Sequence, residues 1–306
     1  MPRIVVAGSL NMDLVMQSPR VPVLGETIPA GPFITSHGGK GANQAVACSR
    51  MGASVAMAGR VGDDAFGSEL RESLEREGVD VSAVLTTEGC STGVASIVVV
   101  EGDNGILIAP GANGMLSPED IQTAAPLFKG ASCALFQLEV PVGTVLEGLR
   151  LARQAGARTI LNPAPFRPLP DEAFSLVDFF IPNRIELEQF SGIPGLADGA
   201  SMLQRRGASG IVVTAGKKGA WMFGDSGPVL VKAPVVDAVD STGAGDAFVA
   251  AFAVALAEGR TPRDAVETAV CAGALACTRF GAREGLPRRA DVDALAAAMR
   301  RESPSS

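Results

Sequence analysis

Asp240-Ser-Thr-Gly-Ala-Gly-Asp-Ala-Phe248 runs without a break into an apolar segment, Ala247 to Ala257, which carries Phe248 and Phe252 four residues apart and stops before Gly259. That pattern predicts a buried helix with a glycine-rich entrance. The first turn of a helix leaves backbone N–H groups unpaired at the positive end of its dipole, and small residues there let an anion approach closely. Gly243, Ala244 and Gly245 are therefore candidates to hold an anion. Asp246 stands at the same entrance, where a carboxylate would oppose a phosphate unless it takes the proton of a hydroxyl about to attack that phosphate. Taken alone, Gly-x-Gly-Asp also describes an acid favouring a helix dipole above an ordinary turn.

Outward from this helix, short β-branched runs alternate with longer helical patterns, the signature of βαβ units and a mostly parallel sheet covered on both faces. Strands are expected at Ile4 to Ala7, Val55 to Ala58, Ala134 to Leu138, Thr159 to Leu161, Phe179 to Ile181 and Ile211 to Thr214. Helices are expected at Asn43 to Met51, Ala65 to Glu77, Val142 to Ala155, Ile185 to Phe190, Ala200 to Arg206, Asp246 to Ala257 and Asp264 to Thr278. Gly52, Gly78, Gly156 and Gly207 fall where C-terminal caps belong. Two segments break the alternation: Val15 to Ser36, with Pro19, Pro22, Gly25 and Pro29, and Thr92 to Ile108, which reads as a hairpin turning at Asp103-Asn104-Gly105. They read as a small separate β-sheet, with an edge extension of the main sheet as the alternative.

The 306 residues suffice for one large α/β domain, so residues 1–306 are expected to form a single unit. Lys and Arg number 26 against 33 Asp and Glu, a formal net charge of -7, which disfavours nucleic acid and anionic membrane as partners and favours a small molecule. Cys48, Cys90, Cys133, Cys271 and Cys277 are odd in number and hold no Cys-x-x-Cys, against both a disulfide framework and a zinc site. A reduced, cytoplasmic setting is expected. Ile4 follows the N-terminus without a basic leader, and the apolar runs fall short of the ~20 residues that cross a bilayer. The polar tail after Arg301 is expected to fray.

Asn11 and Asp13 follow the first strand at its carboxyl end, where open α/β sheets place ligands, and their acceptors and donor suit vicinal hydroxyls. A turn held by Asn and Asp side chains reads equally well. Glu139 also stands just past a strand. Asn183 to Glu186 makes an Asn-x-x-Glu capping box. Thr214-Ala-Gly-Lys-Lys-Gly219 follows another strand, as a ligand loop or merely a hairpin toward Trp221. No Gly-x-x-x-x-Gly-Lys-Ser/Thr occurs, and Phe248 takes the third glycine place of a Gly-x-Gly-x-x-Gly read from Gly243, so P-loop and dinucleotide folds are disfavoured. The lone histidine, His37, reads as an exposed loop residue.

Gly38-Gly-Lys-Gly-Ala-Asn-Gln-Ala-Val-Ala47, together with Gly8 to Asp13 and Asp240 to Asp246, resembles the signature regions of the PfkB carbohydrate kinases, most of all their ribokinase branch, over nearly the whole chain. The resemblance implies a three-layer αβα ribokinase-like sandwich with a small β-sheet lid at about 14–37 and 92–109. It implies transfer of the ATP γ-phosphate to the 5-hydroxyl of D-ribose, with Asp246 as base and the N–H groups from Gly243 to Asp246 as anion hole. Another small sugar or a nucleoside remains an alternative substrate, because Met12 and lid residues such as Phe33 border the expected pocket. A catalytically inactive sugar-binding regulator is the alternative of a different class. By the same resemblance Asn11, Met12, Asp13, Gly39, Lys40, Gly41, Ala42, Asn43 and Glu139 hold the sugar. Asn183, Thr214, Ala215, Gly216, Lys217, Lys218, Gly219, Gly245 and Cys271 hold the nucleotide, with Cys271 standing where the family often has Asn or His. Glu186 orders Mg2+ through water. K+ is held around Asp240, Thr242, Ala276, Arg279, Gly281 and Gly285, where Gly285 replaces a frequent serine and weaker activation is expected. A homodimer through the lid, pairing Val94, Ile97, Val99 and Ile106, is implied as well.

Overall fold

β-Branched runs bounded by glycines fill the central sheet of the protein, seen in a computed structural model that describes residues 1–100, 103–224 and 227–302. Among these residues the sheet comprises β1 (Arg3–Ala7), β4 (Ser54–Gly62), β5 (Asp80–Thr87), β8 (Cys133–Gln137), β9 (Arg158–Asn162), β10 (Phe179–Phe180), β11 (Gly210–Thr214), β12 (Ala220–Gly224) and β13 (Gly227–Val231). Their order is β13-β12-β11-β10-β9-β8-β1-β4-β5. Neighbours are parallel except for the β11–β12 and β12–β13 pairs.

Alternate residues of each strand face opposite layers, and β1 shows it directly: Ile4 and Val6 join one hydrophobic cluster, Val5 and Ala7 the other. The first cluster is covered by α1 (Lys40–Arg50), α2 (Ala65–Arg76), α9 (Ala244–Ala257), α10 (Pro262–Ala276) and α12 (Arg289–Glu302). The second lies under α3 (Pro118–Thr123), α4 (Ala125–Phe128), α5 (Val142–Gln154), α6 (Asp171–Ser175), α7 (Arg184–Ser191) and α8 (Leu196–Arg205). One further short helix, α11 (Ala282–Gly285), leads into α12. Helix α9 is buried from Asp246 to Leu256, as its nearly unbroken apolar run demands, and Phe252 packs edge-on against Phe179 with centroids 5.0 Å apart.

The separate small sheet is present, ordered β3-β2-β6-β7: β2 (Asn11–Gln17), β3 (Phe33–Gly38), β6 (Gly93–Val100) and β7 (Asp103–Ala109). Its outer pairs are antiparallel and its central pair, β2–β6, is parallel. Two expectations change here. Asp103, Asn104 and Gly105 open β7, paired with Val100, Val99 and Val98, so they are not the turn; residues 101 and 102 between the strands lie outside the described residues. Val94 does not share a face with Ile97 and Val99, because an odd spacing along a strand reverses the side chain. It is Val15, Ile34, Ile97 and Val99 that line one face, above a cavity of about 860 Å³ closed on the far side by segments 238–242 and 280–284. Beyond Arg301, Glu302 still belongs to α12, and 303–306 lie outside the described residues.

Chain order places the cleft. From β1 the chain builds outward through β4 and β5, then returns to the other side of β1 as β8 and continues to β11. The crossovers at the carboxyl ends of β1 and β8 therefore part in opposite directions and leave a crevice between them.

Candidate active site

Two hydrogen-bonded clusters meet in that crevice. In the first, Glu139, just past β8, accepts from Ser9 Oγ at 2.5 Å, from the Lys40 backbone N–H at 3.0 Å and from Asn11 Nδ2 at 3.5 Å. Asn113, in the turn Gly111–Met115, clamps the start of β2: it accepts from Leu10 N–H at 2.9 Å and donates to Leu10 O at 2.9 Å and Asn11 Oδ1 at 2.8 Å. Gly39 makes this approach possible. It holds φ +87°, and a Cβ there would lie 2.7 Å from Asn11 N and 2.8 Å from Leu10 Cα. Asp13, 9% exposed, has no hydrogen-bond partner for its carboxylate among the described residues. Burial, and then the neighbouring charge of Glu139, push it up to about 7, against the charge of Arg283.

The second cluster holds Asp246, which is 5% exposed on the first turn of α9. Gln44 Nε2 donates to its Oδ1 at 3.0 Å and Asn43 Nδ2 to its Oδ2 at 3.2 Å. Burial raises the Asp246 carboxyl, while the charge of Lys40 and these two donors pull the other way. A carboxylate offers about four lone-pair sites, so room remains for a hydroxyl. Gly243 caps α9 in the left-handed region at φ 79°, where a Cβ would lie 2.8 Å from Ala282 O. Ala244 N–H is engaged with Ser241 O, whereas the N–H groups of Gly243, Gly245 and Asp246 have no partner among the described residues. One of the four N–H groups expected to be free at this entrance is thus engaged. Lys40 links the clusters, because its ammonium is raised by Asp246, Glu139, Glu186 and Asp13 in spite of burial, which works to lower it.

The other predicted residues make the following contacts, apart from two whose side chains turn into the core. Gly41 N–H donates to Ser9 Oγ at 3.3 Å and Ala42 N–H to Ser9 O at 2.9 Å. Asn183 and Thr214, far apart in sequence, form an isolated parallel bridge, and Asn183 and Glu186 cap α7 reciprocally. The Glu186 carboxyl, raised by burial, accepts from Asn183 N–H through Oε2, and its Oε1 has no partner among the described residues, which fits a hydrated divalent ion. Ala215 N–H closes on Gly219 O at 2.8 Å over an exposed turn, Gly216–Lys218, beside the hairpin. Asp240 accepts from Thr242 N–H and Oγ1 and from Gly281 N–H; those bonds overcome its burial and hold it below the usual carboxylate range. Ala276 O and Arg279 O converge on Gly285, 2.7 and 3.7 Å from where its Cβ would stand. A serine at 285 would collide with the first of them.

Met12 is the first exception: its side chain is fully buried in the core, opposite in the strand to Asn11 and Asp13, so only its backbone faces the cleft. Cys271 is also fully buried, with Sγ 3.4 Å from Met299 Sδ under α12, and it presents no surface to a nucleotide. His37 is a strand residue rather than a loop residue. Its ring nitrogens lie 3.0 Å from Glu69 Oε1 and 3.1 Å from Ser73 Oγ, tying β3 to α2. Ser9, Gln44, Asn113, Gln137, Asn162 and Arg283 belong to the site but were not read as such from the sequence; the position of Gln44 beside Asn43, on a predicted helix, was the available signal.

Residues 1–289 match the sequence description of the pfkB family carbohydrate kinases. A Bacillus subtilis ribokinase is 38% identical over 295 residues, covering 96% of this chain and 99% of the relative. A Salmonella typhi deoxyribokinase is 39% identical over 292 residues, covering 93% and 95%. Arabidopsis thaliana ribokinase, solved in complex with ribose and ATP, superposes with a TM-score of 0.89 at 32% identity, covering 96% of this chain and 98% of that one. Sequence and fold agree with these kinases over nearly the whole chain: the chain belongs to the pfkB family of carbohydrate kinases.

Proposed function

We infer that this protein is a ribokinase-type phosphotransferase, moving the γ-phosphoryl group of ATP to the 5-hydroxyl of D-ribose to give ribose 5-phosphate and ADP. The observation that carries the reading is Asp246: a buried carboxylate, held by two amide donors, beside free N–H groups at a helix entrance. Asp246 takes the hydroxyl proton as the oxygen attacks. The unengaged N–H groups of Gly243, Gly245 and Asp246 then face the charge spread over the transferring phosphoryl oxygens. Asn11, Asp13, Glu139, Asn43 and the backbone of Gly39 to Ala42 hold the sugar, and Lys40 balances the carboxylates gathered there. The strip from Asn183 through Thr214 to Gly219 takes the nucleotide. Glu186 would hold Mg2+ through water, which would neutralise charge on the nucleotide, and the segments carrying Asp240, Thr242, Ala276, Arg279, Gly281 and Gly285 would hold K+, which would add positive charge near the α9 entrance.

Residues 1–306 act as one domain, with the second sheet, about 14–37 and 92–109, as a lid over the sugar. Ile34, Ile106 and Ile108, exposed on the face of that sheet that also carries Ile97, support its pairing with the same sheet of another copy. Five free cysteines support a reduced, cytoplasmic setting, and no described helix is long and apolar enough to cross a membrane. A second sugar, 2-deoxy-D-ribose, is favoured by the deoxyribokinase relative at 39% identity. ADP release measured across pentoses, hexoses and nucleosides tests the reading: D-ribose is expected to give the highest kcat/KM, and turnover of none of them leaves only the inactive regulator. Asp246→Asn should bind ATP normally and lose on the order of 10²–10⁴ in kcat; near-normal turnover would sink the assignment of the base.

A further inference from the structure

Arg283 is 4% exposed, and its Nη1 and Nη2 have no partner among the described residues. Burial, with the charge of Arg50 beside it, lowers its guanidinium to about 10. A neutral side chain there would avoid an expensive desolvation, so the charge needs a reason. Its one hydrogen bond supplies it. Nε donates to Asn43 Oδ1 at 3.2 Å, and Asn43 Nδ2 donates in turn to Asp246 Oδ2 at 3.2 Å.

An amide can face either way, but a guanidinium only donates. Arg283 therefore turns the Asn43 oxygen toward itself and the NH2 toward Asp246. The other carboxylate oxygen is governed in the same manner from the opposite side. Ile181 O, which only accepts, receives Asn162 Nδ2 at 3.0 Å; Asn162 Oδ1 then faces Gln44 Nε2 at 3.2 Å, and that NH2 also donates to Asp246 Oδ1 at 3.0 Å. Two groups that cannot reverse their polarity thus bracket the buried carboxylate. The charges facing it are Lys40 on α1, Asp13 on β2 and Glu139 past β8, with Glu186 on α7 facing Lys40 and Arg283 behind Asn43. With its donor reversed, Asp246 would meet an amide oxygen and need a proton to bridge them.

We propose that Arg283 is a positioning residue for phosphoryl transfer: it fixes the amide of Asn43 so that a donor stays on Oδ2 of Asp246 and the carboxylate remains an ionised, aimed base. The proposal rests on the reading of Asp246 as base. The test uses full-length Arg283→Lys, Arg283→Gln, Arg283→Leu, Asn43→Ala, the Asn43→Ala/Arg283→Leu pair and Asp246→Asn, with kcat and both KM values measured across pH.

An ammonium also only donates, whereas a glutamine can present either end of its amide. Arg283→Lys is therefore expected to keep most of the activity and Arg283→Gln to lose about tenfold in kcat with KM for ATP unchanged. The acid limb of kcat should move to higher pH in Gln and Leu, and the Leu change should cost nothing further once Asn43 is Ala. Equal activity of the Lys and Gln variants, an unmoved acid limb, or full additivity with Asn43→Ala overturns the proposal, even if Arg283→Leu itself fails to fold. An inactive Asp246→Asn alongside those outcomes removes Arg283 alone; an active one removes the base as well.

Discussion

Asp13→Asn is expected to stabilise the free protein while weakening its hold on sugar. The Asp13 carboxyl titrates at about 7 in the folded chain against 3.8 for an ordinary aspartate, because it is buried, unbonded and close to Glu139. The native state therefore binds this proton more tightly than the unfolded state, and stability falls as pH rises from 3.8 to about 7. The gap of roughly 3 units, at about 1.4 kcal/mol each, sets an upper limit of about 4 kcal/mol, reached near pH 8 and absent below pH 4. Asparagine is nearly isosteric and carries no charge. Each kcal/mol shifts Tm by roughly 2 °C in a chain of this size, so the variant should melt up to about 8 °C higher at pH 8 and level with the parent at pH 4. Scanning calorimetry of the apo protein at several pH values measures the difference. A Tm difference that stays constant from pH 4.5 to 8 would refute the argument, because it would assign no titration to this group. The same variant should raise KM for D-ribose well beyond KM for ATP; a gain in stability joined to a loss in binding marks a residue kept for function.

Phe252→Ala should cost about 3–5 kcal/mol, since the ring is fully buried in α9 against Phe179; a chemical denaturation midpoint within error of the parent would show the packing to be slack. Turnover at constant ionic strength should be higher in potassium than in sodium or tetramethylammonium chloride, and equal rates in all three would remove the cation from the carbonyls around Gly285. Sedimentation should show a dimer at micromolar concentration that Ile106→Lys dissociates, given its exposed position opposite Ile97; a monomer in the parent protein argues against lid pairing.

Periodicity carried the main sheet and its helices to within a few residues, because strands such as Ile4 to Ala7 are buried on both sides and nothing local competes with that pattern. It did not carry β5, β12 and β13, at the two margins of the sheet, nor α3, α4, α6 and α12, where Pro118, Pro126, Pro170 and a run of alanines dilute the amphipathic signal. The hairpin turn was misplaced because Asn-Gly is a turn former by local chemistry, whereas register with β6 puts both residues in the strand. At the site, Asp246, Asn11 and Glu139 were legible because each follows a strand or opens a helix. Asn113 and Arg283 were not, since they reach the site from short helical turns about 100 and 240 residues away from their partners. Met12 and Cys271 failed for the converse reason: adjacency in sequence and position in a family pattern do not say which way a side chain turns.

One joint in the molecule serves two elements. Strand β3 ends at Gly38 and α1 starts at Lys40, so only Gly39 separates the second sheet from the helix whose Asn43 and Gln44 grip the base. With its backbone pressed against Leu10 and Asn11, that joint has little slack to absorb a tilt of the sheet. Asn43, which bonds Asp246, follows that joint by four residues. With Asp246 as the proposed base, a substitution far out on β3 is expected to register in kcat as readily as in KM.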